Sequence, residues 1–309
     1  MSTGRYRRAA IKVTSRFRQL IQAPEIVQLP VAHDALCARL IQRAGFPALA
    51  CGGYAATASL LGAPDTSQLS LTEMVDFYSR IVDSVTIPVF VDGDTGFGNT
   101  TNVARTVRLF EKAGVAGYFL EDQVYPKRCG HMAGKAVIPA LEMVEKLKAA
   151  LDTRRDPELV IMARTDALAV KGLDDALERA ALYRETGADL LFVEAPTNVM
   201  EMTRICQSLD GPCLANNLET GMTPFLSASE LQAIGYAAVA YPVTASYTMA
   251  KALMDVFEVL ARKGTTETHW DRMVDFETFG ELVGLPEQRR REAAYQDAAR
   301  ELATRRRGR

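Results

Sequence analysis

The chain has 309 residues and a formal net charge of −2 at pH 7; 48% of its residues are hydrophobic and 24% are charged, as in packed globular proteins. The near-neutral charge gives no electrostatic reason to expect nucleic-acid binding, and no apolar run of about 18 residues predicts a membrane span. Five cysteines, an odd number without paired spacing, favour a reducing compartment, so we expect a cytoplasmic protein.

The first 24 residues are rich in arginine and contain no acidic residue. Organellar transit peptides have this composition, but so do other basic helices. We interpret residues 1–24 as a solvated amphipathic helix that leads into the domain, with organellar targeting as the alternative.

Eight short apolar runs predict eight β-strands. They lie at residues 26–34, 47–53, 87–94, 117–122, 159–165, 190–195, 212–217 and 237–242. Stretches with helical periodicity separate them, for example residues 99–114 and 172–187, and several end in glycine, as helices prefer. Strands that alternate with helices predict an α/β fold with a parallel sheet, and eight such units predict a closed (β/α)8 TIM barrel. A doubly wound open sheet is the alternative, although no GxGxxG motif follows the first strand.

Helical sequence continues beyond the eighth strand. Residues 244–264 predict one long helix, and residues 275–301 predict further helices after a polar link. The barrel ring has no place for this extra helical material, so we expect residues 265–309 to pack on a neighbouring subunit. No low-complexity segment or long linker interrupts the chain, and we therefore predict one domain over residues 1–309.

Acidic residues lie at the ends of four consecutive predicted strands, the third to the sixth. They are Asp92 and Asp94, Glu121 and Asp122, Asp166, and Glu194. In a TIM barrel the carboxyl ends of the strands meet at the face that carries the active site. Converging carboxylates repel one another unless a cation lies among them, and Mg²⁺ suits oxygen ligands. Asp92 and Asp94 would project to one face of a strand, although any single acid could instead cap a helix or lie at a solvated rim.

Two other strand ends carry groups that suit a carboxylate substrate. Arg164 offers a bidentate guanidinium fork, unless it forms a buried ion pair with Glu194 or Asp166. The second strand ends in Cys51, Gly52 and Gly53. Their backbone N–H groups could bind a second carboxylate or an oxyanion, although a tight turn explains the two glycines equally well.

Cys129 has a different setting from the other cysteines. Lys127, Arg128 and His131 lie beside it in a glycine-containing segment, which favours the thiolate and keeps it accessible. Such a thiol could act as a nucleophile or as a general acid, and beside a metal the proton-transfer role is the better fit. His131 is either its charge partner or simply a loop residue. The apolar surroundings of Cys37, Cys206 and Cys213 predict small core residues.

Three motifs carry a family resemblance. VDGDTGFGN at 91–99, EDQVYPKRCGHMAGK at 121–135 and VIMARTDA at 160–167 resemble the isocitrate lyase / phosphoenolpyruvate mutase superfamily. The branch they resemble contains 2-methylisocitrate lyases, 2,3-dimethylmalate lyases and carboxyphosphonoenolpyruvate mutase-like proteins. The resemblance covers nearly the whole chain, and the segment around Cys129 is its most specific part.

The resemblance implies a (β/α)8 barrel with Mg²⁺, or alternatively Mn²⁺, held by Asp92, with Asp94 and Glu121 acting partly through water. It implies a gating loop that carries Cys129, and it adds further residues to the site: Arg164, Glu194, Asn216 and Asp65. It also implies exchange of the eighth helix between the subunits of a dimer, within a homotetramer.

For function, the resemblance implies a Mg²⁺-dependent carbon–carbon lyase that cleaves a substituted 2-hydroxy di- or tricarboxylic acid into a 2-oxo acid and a second carboxylate. In that reaction Cys129 would protonate the carbanion. The alternatives are an oxaloacetate decarboxylase or hydrolase, a mutase with phosphorus chemistry, and a non-catalytic member.

The chain departs from the 2-methylisocitrate lyase pattern at four positions. Leu49, Cys51, Phe119 and Leu218 stand where that pattern has Tyr, Ser, His and Thr. These changes make the expected pocket more apolar and favour a smaller or alkyl-substituted malate-type acid. The base that removes the hydroxyl proton is not identified, and Tyr54 is a candidate.

Overall fold

The computed structural model describes residues 11–130 and 134–307. Its eight strands are β1 Val27–Pro30, β2 Leu49–Cys51, β3 Val89–Asp92, β4 Gly117–Glu121, β5 Val160–Thr165, β6 Leu190–Val193, β7 Leu214–Asn216 and β8 Ala238–Tyr241. All strand pairs are parallel, and the strands form one sheet of order β1-β8-β7 and another of order β2-β3-β4-β5-β6.

Two single bridges join these sheets into a closed barrel. Val31 pairs with Ala50 between the first two strands, and Leu191 pairs with Cys213 between the sixth and seventh. The strands therefore follow one another around the barrel in chain order. The predicted (β/α)8 barrel is confirmed, and the open-sheet alternative is wrong. Each predicted apolar run contains a strand, but most of the strands stop before the polar residues at the end of the run.

Helices surround the strands within the first part of the chain. They are α1 Val13–Gln22, α2 Ala35–Arg43, α3 Gly53–Leu61, α4 Leu71–Ser84, α5 Thr100–Ala113, α6 Ala140–Thr153, α7 Ala167–Lys171, α8 Leu173–Thr186, α9 Val199–Ser208, α10 Ala228–Ile234 and α11 Thr244–Lys263. Helix α5 shows why the boundaries could be predicted. Asn99 caps its first turn with its side chain, and Gly114 ends it with a φ of 81°, which suits glycine.

The helix α1 fills the amino-terminal end of the barrel. Phe17 is 0% exposed and stacks on Phe90 with ring centroids 5.2 Å apart, and Ile21 is buried in the same apolar cluster as the first residues of several strands. Arg18 donates to the Asp189 carboxylate at 2.8 Å. The expectation of a solvated helix is therefore wrong for one face of α1, because burial of these apolar side chains anchors it. Residues 1–10 of the basic segment lie outside the described residues.

The chain divides into two compact units, one up to Thr248 and one from Met249. The second unit contains the rest of α11, a 3-10 helix Glu267–Arg272, α12 Phe276–Leu282 and α13 Leu285–Arg307. Among the described residues, no helix is long and apolar enough to cross a membrane. The single-domain prediction for residues 1–309 and the exchange of residues 265–309 both stay predictions.

Candidate active site

A cavity of about 280 Å³ opens at the carboxyl ends of the barrel strands. Nine of the predicted catalytic, substrate-binding and metal-binding residues line it: Cys51, Gly52, Gly53, Asp65, Asp92, Cys129, Arg164, Glu194 and Asn216. Each of these residues lies near the carboxyl end of a strand or in the segment that follows it. The closed barrel brings these ends together at one face. His131 lies outside the described residues.

A buried cluster of acids lies at one side of this cavity. The carboxylate of Asp92 accepts hydrogen bonds from the backbone N–H groups of Gly53 at 2.9 Å and Asp94 at 2.8 Å. Asp94 lies beyond the end of β3 with a φ of 46°, so the turn, and not strand alternation, brings the two acids together. Burial raises the pKa of Asp94 to about 7, against the lowering effect of Lys127.

The ammonium group of Lys127 lies among these acids. Its Nζ atom is 2.8 Å from Asp65 Oδ2 and 2.9 Å from Asp94 Oδ1, and its side chain is buried. Burial disfavours the ammonium ion, but the charges of Asp94, Asp92 and Glu121 outweigh that effect and raise the pKa of Lys127 well above its usual value. Lys127 therefore stays protonated and neutralises part of the cluster. This also gives Asp65 a role in holding Lys127.

The acid cluster fits a Mg²⁺ ion that is bound partly through water. Glu121 is 1% exposed, and its Oε1 atom has no hydrogen-bond partner, so the cluster contains a buried acceptor that can bind a cation or its water. No three His, Cys, Asp or Glu side chains among residues 11–130 and 134–307 are arranged to ligate one ion directly. Mg²⁺ takes only one or two carboxylates directly and keeps several waters. Direct binding by Asp92, with Asp94 and Glu121 bound to the water ligands, would suit this ion.

Arg164 connects the acid cluster to the opposite wall. Its Nε and Nη2 atoms donate to the two oxygens of Asp166 at 2.9 and 3.1 Å, and Nη2 lies 3.0 Å from Glu194 Oε2. Its Nε atom is also 3.4 Å from Glu121 Oε2. The buried ion pair considered as an alternative is therefore present, and the guanidinium group lines the cavity as well. The acids hold its plane fixed, which preorganises the positive charge that faces the cavity.

Cys129 reaches the same cavity from the segment that follows β4. It is half-buried, and no disulfide joins it to any of the other four cysteines. Cys37 and Cys213 are buried, as predicted for core residues, and Cys206 is half-buried. The next residue, Gly130, packs directly on Arg164 and Glu194. Thiol, guanidinium and acid cluster thus face one small space.

The turn after β2 contributes less than expected to anion binding. The N–H group of Gly53 is already bonded to Asp92, so it is not available to a substrate carboxylate. Burial raises the pKa of Cys51 well above its usual value, which keeps this thiol neutral. Space explains Gly53, because a Cβ there would lie 3.1 Å from Asp92 Oδ2 and 3.3 Å from Lys127 Nζ, but it does not explain Gly52, where a Cβ would meet nothing within 4 Å.

The remaining wall of the cavity is apolar and aromatic. Leu218, Pro242 and Val243 line it after the seventh and eighth strands, and Tyr54 and Tyr247 complete it with their hydroxyl oxygens 3.3 Å apart. The hydrogen bond to Tyr247, together with burial, raises the pKa of Tyr54 to about 12. Tyr54 is therefore protonated at neutral pH, which disfavours it as the base.

Asp122 is a strand-end acid that does not line the cavity. Its side chain accepts from Thr165 at 2.8 Å, Tyr183 at 2.8 Å and Arg179 at 3.2 Å, and from the backbone N–H of Asp166 at 2.9 Å. These donors come from β5 and α8 and the residue after β5, behind the cavity wall. The prediction that Asp122 converges in the mouth is wrong, because these four donors bind its carboxylate on the outer side of the sheet.

Sequence reasoning missed three polar residues that bear on the site. In the sequence Lys127 stands out only as a neighbour of Cys129, and no pattern distinguishes Gln123 or Lys135 from the residues around them. The excess of acids at the strand ends indicates that a basic side chain such as Lys127 lies among them, since buried carboxylates require cations. Nothing in the spacing of Gln123 or Lys135 signals their contacts.

The family of the chain follows from its similarity to known proteins. Residues 17–261 match the phosphoenolpyruvate phosphomutase family. The chain belongs to this family. The resemblance to the isocitrate lyase / phosphoenolpyruvate mutase superfamily is confirmed.

Relatives in this superfamily include enzymes with different substrates. The 2,3-dimethylmalate lyase of Eubacterium barkeri is 47% identical over 285 residues, covering 92% of this chain and 99% of that protein. The structure of oxaloacetate acetylhydrolase with 3,3-difluorooxalacetate has a TM-score of 0.88 and 31% identity, covering 92% of this chain and 97% of that one. The structure of phosphonopyruvate hydrolase with oxalate and Mg²⁺ has a TM-score of 0.84 and 26% identity, covering 93% and 100%.

Proposed function

We propose that this protein is a Mg²⁺-dependent carbon–carbon lyase. It cleaves a substituted 2-hydroxy di- or tricarboxylic acid, of the 2,3-dimethylmalate or 2-methylisocitrate type, into a 2-oxo acid and a second carboxylate. The observation that carries this proposal is one cavity lined by the thiol of Cys129, the guanidinium of Arg164 and the carboxylate of Asp92. The 47% identity to a 2,3-dimethylmalate lyase supports it.

The positive groups of the site match the charge of such a substrate. Arg164 is held in place by three acids and offers its guanidinium to a substrate carboxylate. Asp92 would hold Mg²⁺ directly, with Asp94 and Glu121 acting through water, and Mn²⁺ would suit the same oxygen ligands. When bound, the ion would stabilise negative charge on the oxygen atoms of the substrate. The Mg²⁺ in the structure of phosphonopyruvate hydrolase supports this assignment.

Cys129 has the position of a proton donor. When the bond between C2 and C3 of the substrate breaks, its electron pair stays on C3, and the oxygen on C2 becomes the carbonyl of the 2-oxo acid. The thiol of Cys129 then gives its proton to C3, and the hydroxyl proton passes to a base. Exclusion of water from the cavity by the bound substrate would favour this transfer over side reactions of the carbanion.

The cavity wall favours an alkyl-substituted malate. Leu218, Pro242 and Val243 present no charge or hydrogen-bond donor to the substrate on that side. A third carboxylate placed there would lose its hydration and find no positive charge, only the hydroxyl groups of Tyr54 and Tyr247, whereas a methyl group would gain from burial. This supports a 2,3-dimethylmalate-type substrate over 2-methylisocitrate.

A screen of candidate acids tests the proposal. The purified protein with Mg²⁺ is given 2,3-dimethylmalate, 2-methylisocitrate, malate, oxaloacetate and phosphonopyruvate, and the products are measured. We expect a 2-oxo acid from 2,3-dimethylmalate, loss of this activity with EDTA, and recovery with Mg²⁺. Cys129→Ser should fold normally and lose most of the cleavage, while the matched control Cys206→Ser keeps it. Full activity of Cys129→Ser would remove the proton-donor role.

Oxaloacetate hydrolysis is the second candidate function. The overall similarity to oxaloacetate acetylhydrolase, with a TM-score of 0.88, favours it. Release of oxalate and acetate from oxaloacetate, with no cleavage of the substituted malates, would refute the lyase proposal and support this one.

We also propose that the protein is a homotetramer, built from two dimers in each of which the two subunits exchange their C-terminal helices. The second unit exposes large apolar side chains, among them Phe276 at 90% and Trp270 at 64%, and exposed apolar patches of this kind mark interfaces. Native mass spectrometry should show a tetramer, and Phe276→Glu should shift the population to smaller species. A monomeric wild-type protein would refute this assignment. The cytoplasmic location stays a prediction.

A further inference from the structure

Two side chains hold the backbone on either side of Cys129. The side-chain amide of Gln123 makes two hydrogen bonds to Arg128: Nε2 donates to the carbonyl oxygen at 2.9 Å, and Oε1 accepts from the N–H group at 3.1 Å. On the other side, Lys135 Nζ donates to the carbonyl oxygen of Gly130 at 2.5 Å. The residue that carries the thiol therefore lies between two fixed peptide groups.

Both anchors belong to firmly held parts of the chain. Gln123 is 1% exposed and pairs with Val137 in an antiparallel bridge. Two further backbone bonds close the base of this segment, from Val124 N–H to Ala136 O at 2.8 Å and from Ile138 N–H to Asp122 O at 2.9 Å. The backbone next to β4 thus holds the segment at both of its ends, at Gln123 and close to Lys135.

Asp166 joins the Lys135 anchor to Arg164. Its Oδ1 atom accepts from Lys135 Nζ at 2.8 Å and from Arg164 Nη2 at 3.1 Å, and its Oδ2 atom accepts from Arg164 Nε at 2.9 Å. The side chains of Lys135 and Asp166 are almost fully buried, and a buried charge must be paired to be tolerated. One carboxylate therefore determines both the plane of the guanidinium and the position of the ammonium that holds Gly130.

We propose that Lys135 is a positioning residue that fixes the Cys129 thiol relative to Arg164. This inference rests on the proposed function, because a proton transfer from Cys129 to the substrate requires the thiol to be held at a fixed position relative to Arg164. Lys135 touches the peptide group beside Cys129 and the carboxylate beside Arg164, but it does not line the cavity. Gln123 performs the same task from the other side of the thiol, without the link to Arg164.

The test compares Lys135→Met and Lys135→Arg with Lys148→Met, which makes the same substitution at an exposed lysine of α6. The first measurement is steady-state kinetics with the substrate found in the screen. Misplacement of a reacting group by about 1 Å costs on the order of 10²-fold in rate. We therefore expect kcat of Lys135→Met to fall by about that factor with KM changed less than about threefold, partial recovery in Lys135→Arg, and wild-type values in Lys148→Met.

The second measurement does not need turnover. The rate at which iodoacetamide alkylates Cys129 is followed by peptide mass spectrometry, with and without oxalate and Mg²⁺. We expect Lys135→Met to be alkylated several-fold faster than wild type and to lose most of any protection that oxalate gives. Gln123→Glu keeps the hydrogen-bond acceptor and removes the donor, and it should also be alkylated faster than wild type. This variant is used in place of Lys135→Met if Lys135→Met does not fold.

The outcomes separate the two proposals. Wild-type kcat and wild-type alkylation in Lys135→Met would overturn the positioning role while leaving the lyase intact. A wild-type protein that cleaves none of the acids would refute the proposed function, and the alkylation rates would still show whether Lys135 and Gln123 hold the thiol. A thermal midpoint lowered equally in Lys135→Met and Lys135→Arg, with no recovery of kcat, would show a merely structural role.

Discussion

Gly130→Ala should damage catalysis while leaving the fold intact. A Cβ atom at this position would lie 2.6 Å from Glu194 Cγ and 2.7 Å from Glu194 Cδ, and it would also contact Arg164 Nη2. The first distance is about 0.8 Å short of the 3.4 Å at which ordinary contact begins. The ion pairs of Arg164 oppose its movement, so we expect the backbone that carries Cys129 to move instead.

A displacement of this size has a kinetic cost that can be worked out. Misplacement by about 1 Å lowers the rate by on the order of 10²-fold, which is about 2.7 kcal/mol in activation free energy. Gly130 does not have a left-handed φ, so alanine adds no backbone strain of its own, and we expect the free energy of unfolding to change by less than about 1 kcal/mol.

The assay measures kcat for cleavage of the preferred acid and the urea midpoint of the same preparations. Gly280→Ala is the matched control, because a Cβ there meets Leu285 Cδ2 at 3.5 Å and Leu285 Cβ at 3.9 Å, which are ordinary contacts. If Gly130→Ala keeps kcat within about twofold of wild type, the position of the thiol does not limit the reaction and the reasoning is refuted. A large fall in stability would show that the clash is relieved in the barrel and not in the segment of Cys129.

Three further predictions concern stability, each measured by urea unfolding. Lys127→Met should lower the free energy of unfolding by about 3 kcal/mol, because Asp65 and Asp94 lose their buried cation, while Lys148→Met changes it little. In Asp166→Asn the loss should be about 2 kcal/mol at pH 7. Burial opposes ionisation of Asp166, but Arg164 and Lys135 lower its pKa from 3.8 to about 2, so this stabilisation is present above about pH 4 and disappears as the pH falls towards 2. A difference between wild type and Asp166→Asn that stays constant from pH 7 to pH 3 would contradict that reasoning. Tyr183→Phe removes one of four hydrogen bonds to Asp122 and should cost about 1.5 kcal/mol, and no loss would show that water replaces the hydroxyl.

The barrel could be predicted from the sequence because its signals repeat. Eight apolar runs alternate with helices that have recognisable caps, and a closed barrel then brings the strand ends together whatever their individual sequences. This is why the sequence could indicate that Asp92, Arg164, Glu194 and Asn216, which line one cavity, lie close together.

The directions of individual side chains could not be predicted in the same way. Near the strand ends, alternation of faces holds for some acids and fails for others: Asp122 lies behind the wall, opposite its neighbour Glu121, as alternation predicts, whereas Asp94 reaches the cluster through a left-handed turn. The bonds of Gln123 and Lys135 depend on how one irregular segment folds back on itself, which no periodic pattern encodes.

The barrel consists of a five-stranded and a three-stranded sheet, and the charged residues of the cavity belong to a different sheet from the apolar wall that follows β7 and β8. The charged network lies on the strands of the five-stranded sheet and the segments that follow them, whereas Leu218, Pro242 and Val243 follow β7 and β8 of the other sheet. Substitutions in this second group alter the shape offered to the substrate without touching an ion pair. A related enzyme could therefore acquire a new acid as its substrate by exchanging a few apolar side chains, with Cys129, Arg164 and the acid cluster left as they are.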